Sequence, residues 1–548
     1  MKDNMYELIK ASSLKYSSSI AYIYNSNKVT YKTFLKKIDI CSRAFYNLGV
    51  DKKNIVSLIL PNSEEGIICL YALNKLGITV SIINPSNSIS EIKDAIDLTN
   101  SRYVVLSDEV YKKTKNILDK TSVENIICLN VNKSNTFEKI QSKLKMLKTK
   151  NNELDDVISF SSFYSKGKLS NNEVNCFKNE NAVIIYSGGT SGKQKGIVLT
   201  NKNINLLSEK YIKENGKLKN GETNLSVMPI FNSFGLICAF HSIFLSGATS
   251  IIINNYSIKK FDKLIIKHKP NIIECTPGML ESVPNSKAFK KIDLSFIKCI
   301  LCMGDTISDK LNRRLNDFLY NHNNLIKIRN CYGMSECGIV TMDKEEDSVL
   351  GSVGVPLESV NIRIVDSKTN KECKTNVEGE ICVNTPYVMK EYLNNIDETS
   401  NVLKKDNNKI WFHTGDIGYL DENGYLFFKS RMNRIIISNG YKIYPNQIEK
   451  IILEHPYVES CAVVGLPHPY KKEVVKAYIV LKKGLFLNSE IKKSIKAHCE
   501  KNISSYALPY AYGYRTELPK TIVGKISYRE LINDKEDDIK WTILDIKY

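Results

Sequence analysis

Residues 186–196 read Tyr186-Ser-Gly-Gly-Thr-Ser-Gly-Lys-Gln-Lys-Gly196. Three closely spaced glycines let a backbone fold so tightly that consecutive N–H groups converge on an anion. Thr190 and Ser191 add hydroxyl donors, and Lys193 and Lys195 add positive charge. Those are the parts needed to hold a polyphosphate. A merely flexible surface loop would account for the glycines, but not for two hydroxyls and two lysines packed among them. A P-loop requires GxxxxGK followed by Ser or Thr. Counting back from Gly192-Lys193, its first glycine falls on Ser187, and the residue after Lys193 is Gln194, so that reading fails twice.

Three more constellations stand downstream in the chain: Asn330-Cys-Tyr-Gly-Met-Ser-Glu336, Trp411-Phe-His-Thr-Gly-Asp416 and Pro519-Lys-Thr-Ile-Val-Gly-Lys525. Together with the glycine-rich loop, and in this order, they resemble the motifs of the adenylate-forming superfamily. That family contains acyl-CoA synthetases, aryl-CoA ligases, luciferases and peptide-synthetase adenylation domains. The resemblance runs from Thr30-Tyr31 to Lys525 and so covers nearly the whole sequence.

The resemblance implies a role for each motif. Ser187, Gly188, Gly189, Thr190, Ser191, Gly192, Lys193 and Lys195 would cradle the phosphates of ATP. Tyr332 would stack on adenine, with Gly333 and Met334 beside it. Ser335 would donate its hydroxyl to the α-phosphate. Glu336 would hold Mg²⁺, as suits a hard carboxylate oxygen and an ion that bridges phosphates. Gly304 and Asp305, in Cys302-Met-Gly-Asp305, occupy the place of an adenine-wall segment. Asp416 would accept hydrogen bonds from the ribose hydroxyls, and Arg431 would contact ribose or phosphate. Lys525, a compact cation on a long stem, would neutralise charge during adenylation. Trp411 reads as packing.

Around Ser438-Asn-Gly440 and Tyr441-Lys-Ile-Tyr-Pro445 the chain resembles the face that serves the second half-reaction. There Gly440 would let a pantetheine arm pass close to the backbone, with Lys442 beside it. Asn433 stands at the hinge, where relatives commonly carry Asp or Lys, and Ile437 stands where some carry Lys. In Met228-Pro-Ile-Phe-Asn-Ser-Phe-Gly235, Asn232 replaces a frequent His, followed by Ser233, Phe234 and Gly235. Asn232 is neutral, so the Asp device by which peptide synthetases hold an amino group is missing. The mostly apolar run 231–240 suits an aliphatic or aromatic acyl group.

The elements that must position these residues follow from periodicity. Residues 31–48 and 64–76 have helical spacing, with Gly77 as a stop. Residues 55–60 and 79–83 are short apolar runs closed by Pro61-Asn62 and Asn84-Pro85. Strands alternating with helices imply an α/β layer with parallel strands. Residues 182–185 and 197–199 are strand-like runs on either side of the glycine-rich loop. Residues 130–180 turn polar and read as surface loop with some helix. Alternation resumes over 182–329, and 351–384 reads as β-rich. Near Ser430 the texture changes to a basic segment, a strand at 435–437 and a helix around 447–454. The expected fold is therefore a large multi-layer α/β N-terminal domain, residues 1–430. A small mobile α+β C-terminal domain, residues 431–548, carries Lys525.

Composition narrows the remaining classes. The chain has 548 residues, 43% of them hydrophobic and 25% charged, which is ordinary for a globular protein. Its formal net charge of +18 raises nucleic acid or an anionic membrane as partners. Yet only ten of the 77 basic residues are Arg, the preferred residue for bidentate phosphate and base recognition. No Arg/aromatic cluster or named nucleic-acid module is present. A Lys-biased surface explains the charge, with at most peripheral membrane contact. There is no secretory h-region, and several of the 14 cysteines sit in apolar runs, so a reduced, cytoplasmic protein is expected. Cys299 and Cys302 form a lone CxxC inside a buried-looking strand. Residues 234–253 carry no formal charge, but His241 and Ser246-Gly-Ala248 break the run. A helix, a turn and a strand fit it better than a membrane span.

The expected chemistry is ATP-dependent activation of a carboxylic acid, with a fatty acid as the favoured class, followed by transfer to coenzyme A. The alternatives are an aryl or other acid, and a carrier protein acting in trans as acceptor.

Overall fold

The computed structural model describes residues 4–129, 157–187, 194–254, 260–281, 283–290, 292–304, 307–344, 348–366, 368–438, 441–468, 471–521, 525–534 and 539–542. Among them the strands form sheets of nine, eight, five and six. The nine- and eight-stranded sheets, with their helices, make a layered α/β body. The five-stranded sheet is antiparallel. The six-stranded sheet belongs to a smaller α+β unit with its own apolar core, centred on Ile448, Ile452, Val463 and Ile495. The α/β architecture with a large N-terminal and a smaller C-terminal body is the one the sequence predicts.

Local chemistry accounts for the helices. Thr30 caps Tyr31–Asn47 by accepting from the N–H of Thr33, and Ser63 caps Glu64–Lys75 by accepting from that of Gly66. Gly77 then turns the chain at φ +70°, a backbone region that favours glycine. The helices hand over to the parallel strands Ile55–Ile59 and Thr79–Ile82, buried on both faces. The CxxC pair lies in Cys299–Met303, an entirely buried strand, and the cysteines are free thiols.

The uncharged run resolves into a π-helix, Gly235–His241, a short α-helix, Ser242–Ser246, and a strand, Thr249–Ile252. Gly247 makes the turn at φ +78°. Burial pushes the His241 ring down to about 3, so it is neutral. One ring nitrogen pairs with the Tyr71 hydroxyl at 2.9 Å and the other with the Asn205 amide oxygen at 2.9 Å. No helix among the described residues is long and apolar enough to cross a membrane.

One segment corrects the sequence reading. Part of the polar stretch 130–180 lies outside the described residues, but the rest contributes to the core. Val157–Ser159 adds an edge strand to the eight-stranded sheet. The helix Phe160–Leu169 buries Phe163 against Phe45, ring centroids 4.7 Å apart. It can lie this close because residue 167 is glycine, where a Cβ would sit 2.1 Å from the carbonyl oxygen of Ile40. The polar flanks concealed a two-ring anchor.

Candidate functional site

The glycine-rich loop joins two antiparallel strands, Asn181–Ser187 and Lys195–Thr200, paired from Asn181↔Thr200 to Ser187↔Lys195. A P-loop feeds a helix instead, so the topology agrees with the failed spacing. Gly188, Gly189, Thr190, Ser191, Gly192 and Lys193 lie outside the described residues, and Ser187 is placed only as a strand residue. Lys195, at the loop's base, pairs with Glu398 at 2.5 Å and lies over the Tyr392 ring, 5.0 Å from its centroid.

Tyr332 sits on Arg329–Met334, beside Cys299–Met303 in parallel register (Met303↔Cys331). That places Gly304 and Tyr332 together at the carboxyl ends of adjacent parallel strands, where open α/β sheets bind ligands. Gly333 is pressed against the returning strand: a Cβ there would be 2.1 Å from the carbonyl oxygen of Gly338. Ser335 and Glu336 therefore stand on the turn between two strands. The Ser335 hydroxyl oxygen accepts from Ser233 at 3.2 Å. Glu336 Oε1 accepts from the Tyr392 hydroxyl at 3.0 Å. Desolvation raises the Glu336 carboxyl above its ordinary value, against the Tyr392 hydrogen bond and the charges of Arg431 and Lys195. A carboxylate offers the hard oxygen that suits a divalent cation.

Asp416 belongs to the long strand Lys409–Leu420 and lies directly opposite Arg431 on Leu426–Arg431. Its carboxylate is 1% exposed and pairs with the Arg431 Nε at 3.0 Å. Its other oxygen accepts from the Tyr332 hydroxyl at 2.8 Å. Burial raises the Asp416 carboxyl, while Arg431 and the Tyr332 hydrogen bond act the other way. An aromatic ring, a carboxylate and a guanidinium thus converge within direct contact. Trp411 lies under the Arg363 guanidinium, 4.3 Å from the ring centroid, in packing rather than at the site.

The smaller body delivers Lys525. The backbone carbonyl of Lys525 accepts from the Thr521 N–H at 2.7 Å. The side chain comes to rest over Gly304: a Cβ on Gly304 would lie 2.8 Å from Lys525 Cε and 3.1 Å from Nζ. Two ion pairs of 2.9 Å, Lys450–Asp309 and Lys520–Glu281, bridge the bodies beside it.

Other expected residues take different places. Asn232 Oδ1 accepts from the Gly235 N–H at 2.7 Å, so this oxygen caps the π-helix. Gly235 is required there because a Cβ would meet the Pro229 carbonyl oxygen at 1.9 Å. Ser233 and Phe234 are buried. Asn433 lies in the one-turn helix Met432–Arg434, and Lys442 lies in Tyr441–Ile443. Asp305 and Gly440 fall outside the described residues. The sequence reading missed Tyr392 and Glu398, whose segment carries no periodic pattern. Tyr392 arrives by pairing with Ile197 across the sheet.

Comparison with known proteins gives this arrangement a family. Residues 9–393 match the model of the AMP-binding enzyme family, and residues 447–525 match that of the AMP-binding enzyme C-terminal domain. The chain is 28% identical over 543 residues to the long-chain-fatty-acid–CoA ligase of Bacillus subtilis (strain 168), covering 97% of this chain and 94% of that protein. It is 27% identical over 531 residues to the crotonobetaine/carnitine–CoA ligase of Proteus mirabilis (strain HI4320), covering 94% and 96% respectively. In fold it is similar to the anthranilate CoA ligase AuaEII in complex with anthranoyl-AMP. That match has a TM-score of 0.83 at 20% identity and covers 97% of this chain and 96% of that one. The chain belongs to the AMP-binding enzyme family.

Proposed function

We propose that the protein is an ATP-dependent acid–coenzyme A ligase acting on fatty acids. The observation that carries this reading is convergence from two bodies: Tyr332, Asp416, Arg431 and Glu336 from one, and Lys525 laid over Gly304 from the other. The adenine ring stacks on Tyr332, and Asp416 accepts from the ribose hydroxyls. The glycine-rich loop and the Ser335 hydroxyl hold the phosphates. Mg²⁺ on Glu336 would neutralise phosphate charge. The acid's carboxylate oxygen attacks the α-phosphorus and the bond to pyrophosphate breaks, giving acyl-adenylate. Lys525 offsets negative charge where it builds up, in a site positioned beforehand.

For the second step the smaller body turns about Asn433. Lys525 withdraws and the segment of Gly440 and Lys442 enters. The thiolate of coenzyme A attacks the acyl carbon and AMP leaves. A fatty acid is favoured by the apolar run around Phe234 and by the similarity to a long-chain-fatty-acid–CoA ligase.

The test measures pyrophosphate release and thioester formation with fatty, aryl and amino acids, with coenzyme A, a pantetheinylated carrier protein or neither. Fatty acids with coenzyme A are expected to give the highest kcat/KM. Turnover of aryl acids without turnover of fatty acids would overturn the substrate class, and thioester on the carrier alone would overturn the acceptor.

A further inference from the structure

Asp416 reaches Tyr332 and Arg431 because its strand is buckled at that point. Gly379–Asn384 and Lys409–Leu420 pair in register at Glu380↔Ile417 and again at Cys382↔His413. Between these pairs Ile381 alone faces Thr414, Gly415 and Asp416, so two extra residues bulge out of the long strand. A bulge strips backbone groups of their ladder partners, and buried ones must be satisfied otherwise.

Two side chains do this. Thr414 Oγ1 donates to the Ile381 carbonyl at 2.7 Å and accepts from the Asp416 N–H at 3.0 Å. Glu380 Oε1 accepts from the Gly415 N–H at 3.1 Å, where Gly415 turns at φ +69°. Glu380 Oε2 pairs with His413 Nδ1 at 2.9 Å. One half-buried carboxylate therefore grips both ends of the turn that throws Asp416 forward, and hydrogen bonds to a charged acceptor are the stronger kind. Cys382 Sγ lies 3.4 Å from the same His413 nitrogen. Glu380, Cys382 and His413 are close enough together to hold a metal ion. Protein groups already engage both carboxylate oxygens, which favours a structural clasp.

We propose that Glu380 is a positioning residue for the nucleotide: by holding the 413–415 turn it aims Asp416 at the ribose. This rests on the reading of Asp416 as the ribose acceptor. The experiment uses the full chain as wild type, Glu380→Ala and Glu380→Gln, with ATP, 2′-deoxy-ATP and 3′-deoxy-ATP in acid-dependent pyrophosphate exchange. Wild type is expected to prefer ATP by about tenfold or more over at least one deoxy analogue, as for a hydrogen bond to a charged group. In Glu380→Ala the KM for ATP should rise about tenfold, as for loss of such a bond. The preference over the deoxy analogue should fall toward unity, with kcat and the KM for the acid changed much less.

Glu380→Gln keeps an acceptor for Gly415 and offers an N–H to His413, so it should restore the preference. If Glu380→Ala does not fold, Glu380→Asp, with too short a reach, is read in its place. Full wild-type discrimination in the Ala or Asp variant would overturn the positioning role. Wild type that ignores both ribose hydroxyls would instead overturn the ribose reading of Asp416. Zinc at one per chain, lost in Cys382→Ser, would replace the clasp with a metal site.

Discussion

The two bodies contribute to the site in opposite ways. The larger one presents buried groups in direct contact: Asp416 is 1% exposed, accepts from Tyr332, pairs with Arg431, and is aimed by a bulge. The smaller one presents Lys525, an exposed residue, steadied by ion pairs that water can reach. Groups used in every state of a cycle can be fixed during folding, where their desolvation is compensated once. In the proposed cycle Lys525 leaves between the two half-reactions, and a group that leaves cannot be buried so deeply, because each departure would repeat that cost.

Lys525→Ala probes this contrast with the largest expected effect. Adenylation should fall by about 10²–10³-fold, the scale for removing one preorganised charge-stabilising group. Thioester formation from supplied acyl-adenylate should stay within about twofold, because in the proposed cycle Lys525 has withdrawn by then. Equal loss in both half-reactions would mean that Lys525 does not leave, and the contrast would collapse.

Glu274 sharpens the other side of the comparison, as a buried carboxyl with no cation among the causes that shift it in the described residues. It lies in the fully buried strand Ile272–Cys275, accepts from the Tyr211 hydroxyl at 2.7 Å through Oε1, and among the described residues has no hydrogen-bond partner for Oε2. Desolvation pushes it up to about 7 from 4.5. With the folded value above the unfolded one, the native state binds the extra proton between these limits. Stability therefore falls as pH rises through the window from about 4.5 to 7. Glu274→Gln should be neutral near the lower limit. Above the upper one it should stabilise by on the order of 3 kcal/mol. Thermal melts across that range check this. A variant whose destabilisation grows as pH rises would show instead that the carboxylate form is the one the fold needs.

These differences bear on what was legible beforehand. Tyr332, Glu336, Asp416 and Lys525 stood out as candidates because each sits in a short local motif whose residue types suit one chemical task. The helices of residues 31–48 and 64–76 were legible from their periodicity and the Gly77 stop. Tyr392, Glu380 and Glu398 were not, because strand pairing brings the first two, and the helix Ile396–Val402 the third, from parts of the chain with no common spacing. His413 and Thr414 stood in a quoted motif, yet their work is to support Asp416, and only the register shift reveals it. Asn232 carried a visible substitution, but its use as a helix cap depends on how closely Gly235 approaches Pro229. The core contact of the helix Phe160–Leu169 was hidden by its polar flanks.

The smallest expected effect lies at the ion pairs that hold the smaller body in place. Lys450 and Lys520 are 67% and 32% exposed, opposite Asp309 and Glu281 at 26% and 52%. Exposed pairs contribute roughly 0.2–1 kcal/mol each, too little to matter for folding. They can nevertheless set the balance between two domain poses of similar energy, since about 1.4 kcal/mol is a tenfold change in population. The double reversal Lys450→Glu with Lys520→Glu turns both attractions into repulsions in the pose where Lys525 meets Gly304. Adenylation should drop by roughly three- to tenfold, while thioester formation from supplied acyl-adenylate should hold or rise. At about 1 M salt, where screening acts within about 3 Å, the difference should largely vanish. A loss that persists in salt, or that affects both half-reactions alike, would place the control of the domain pose elsewhere, in packing rather than in charge.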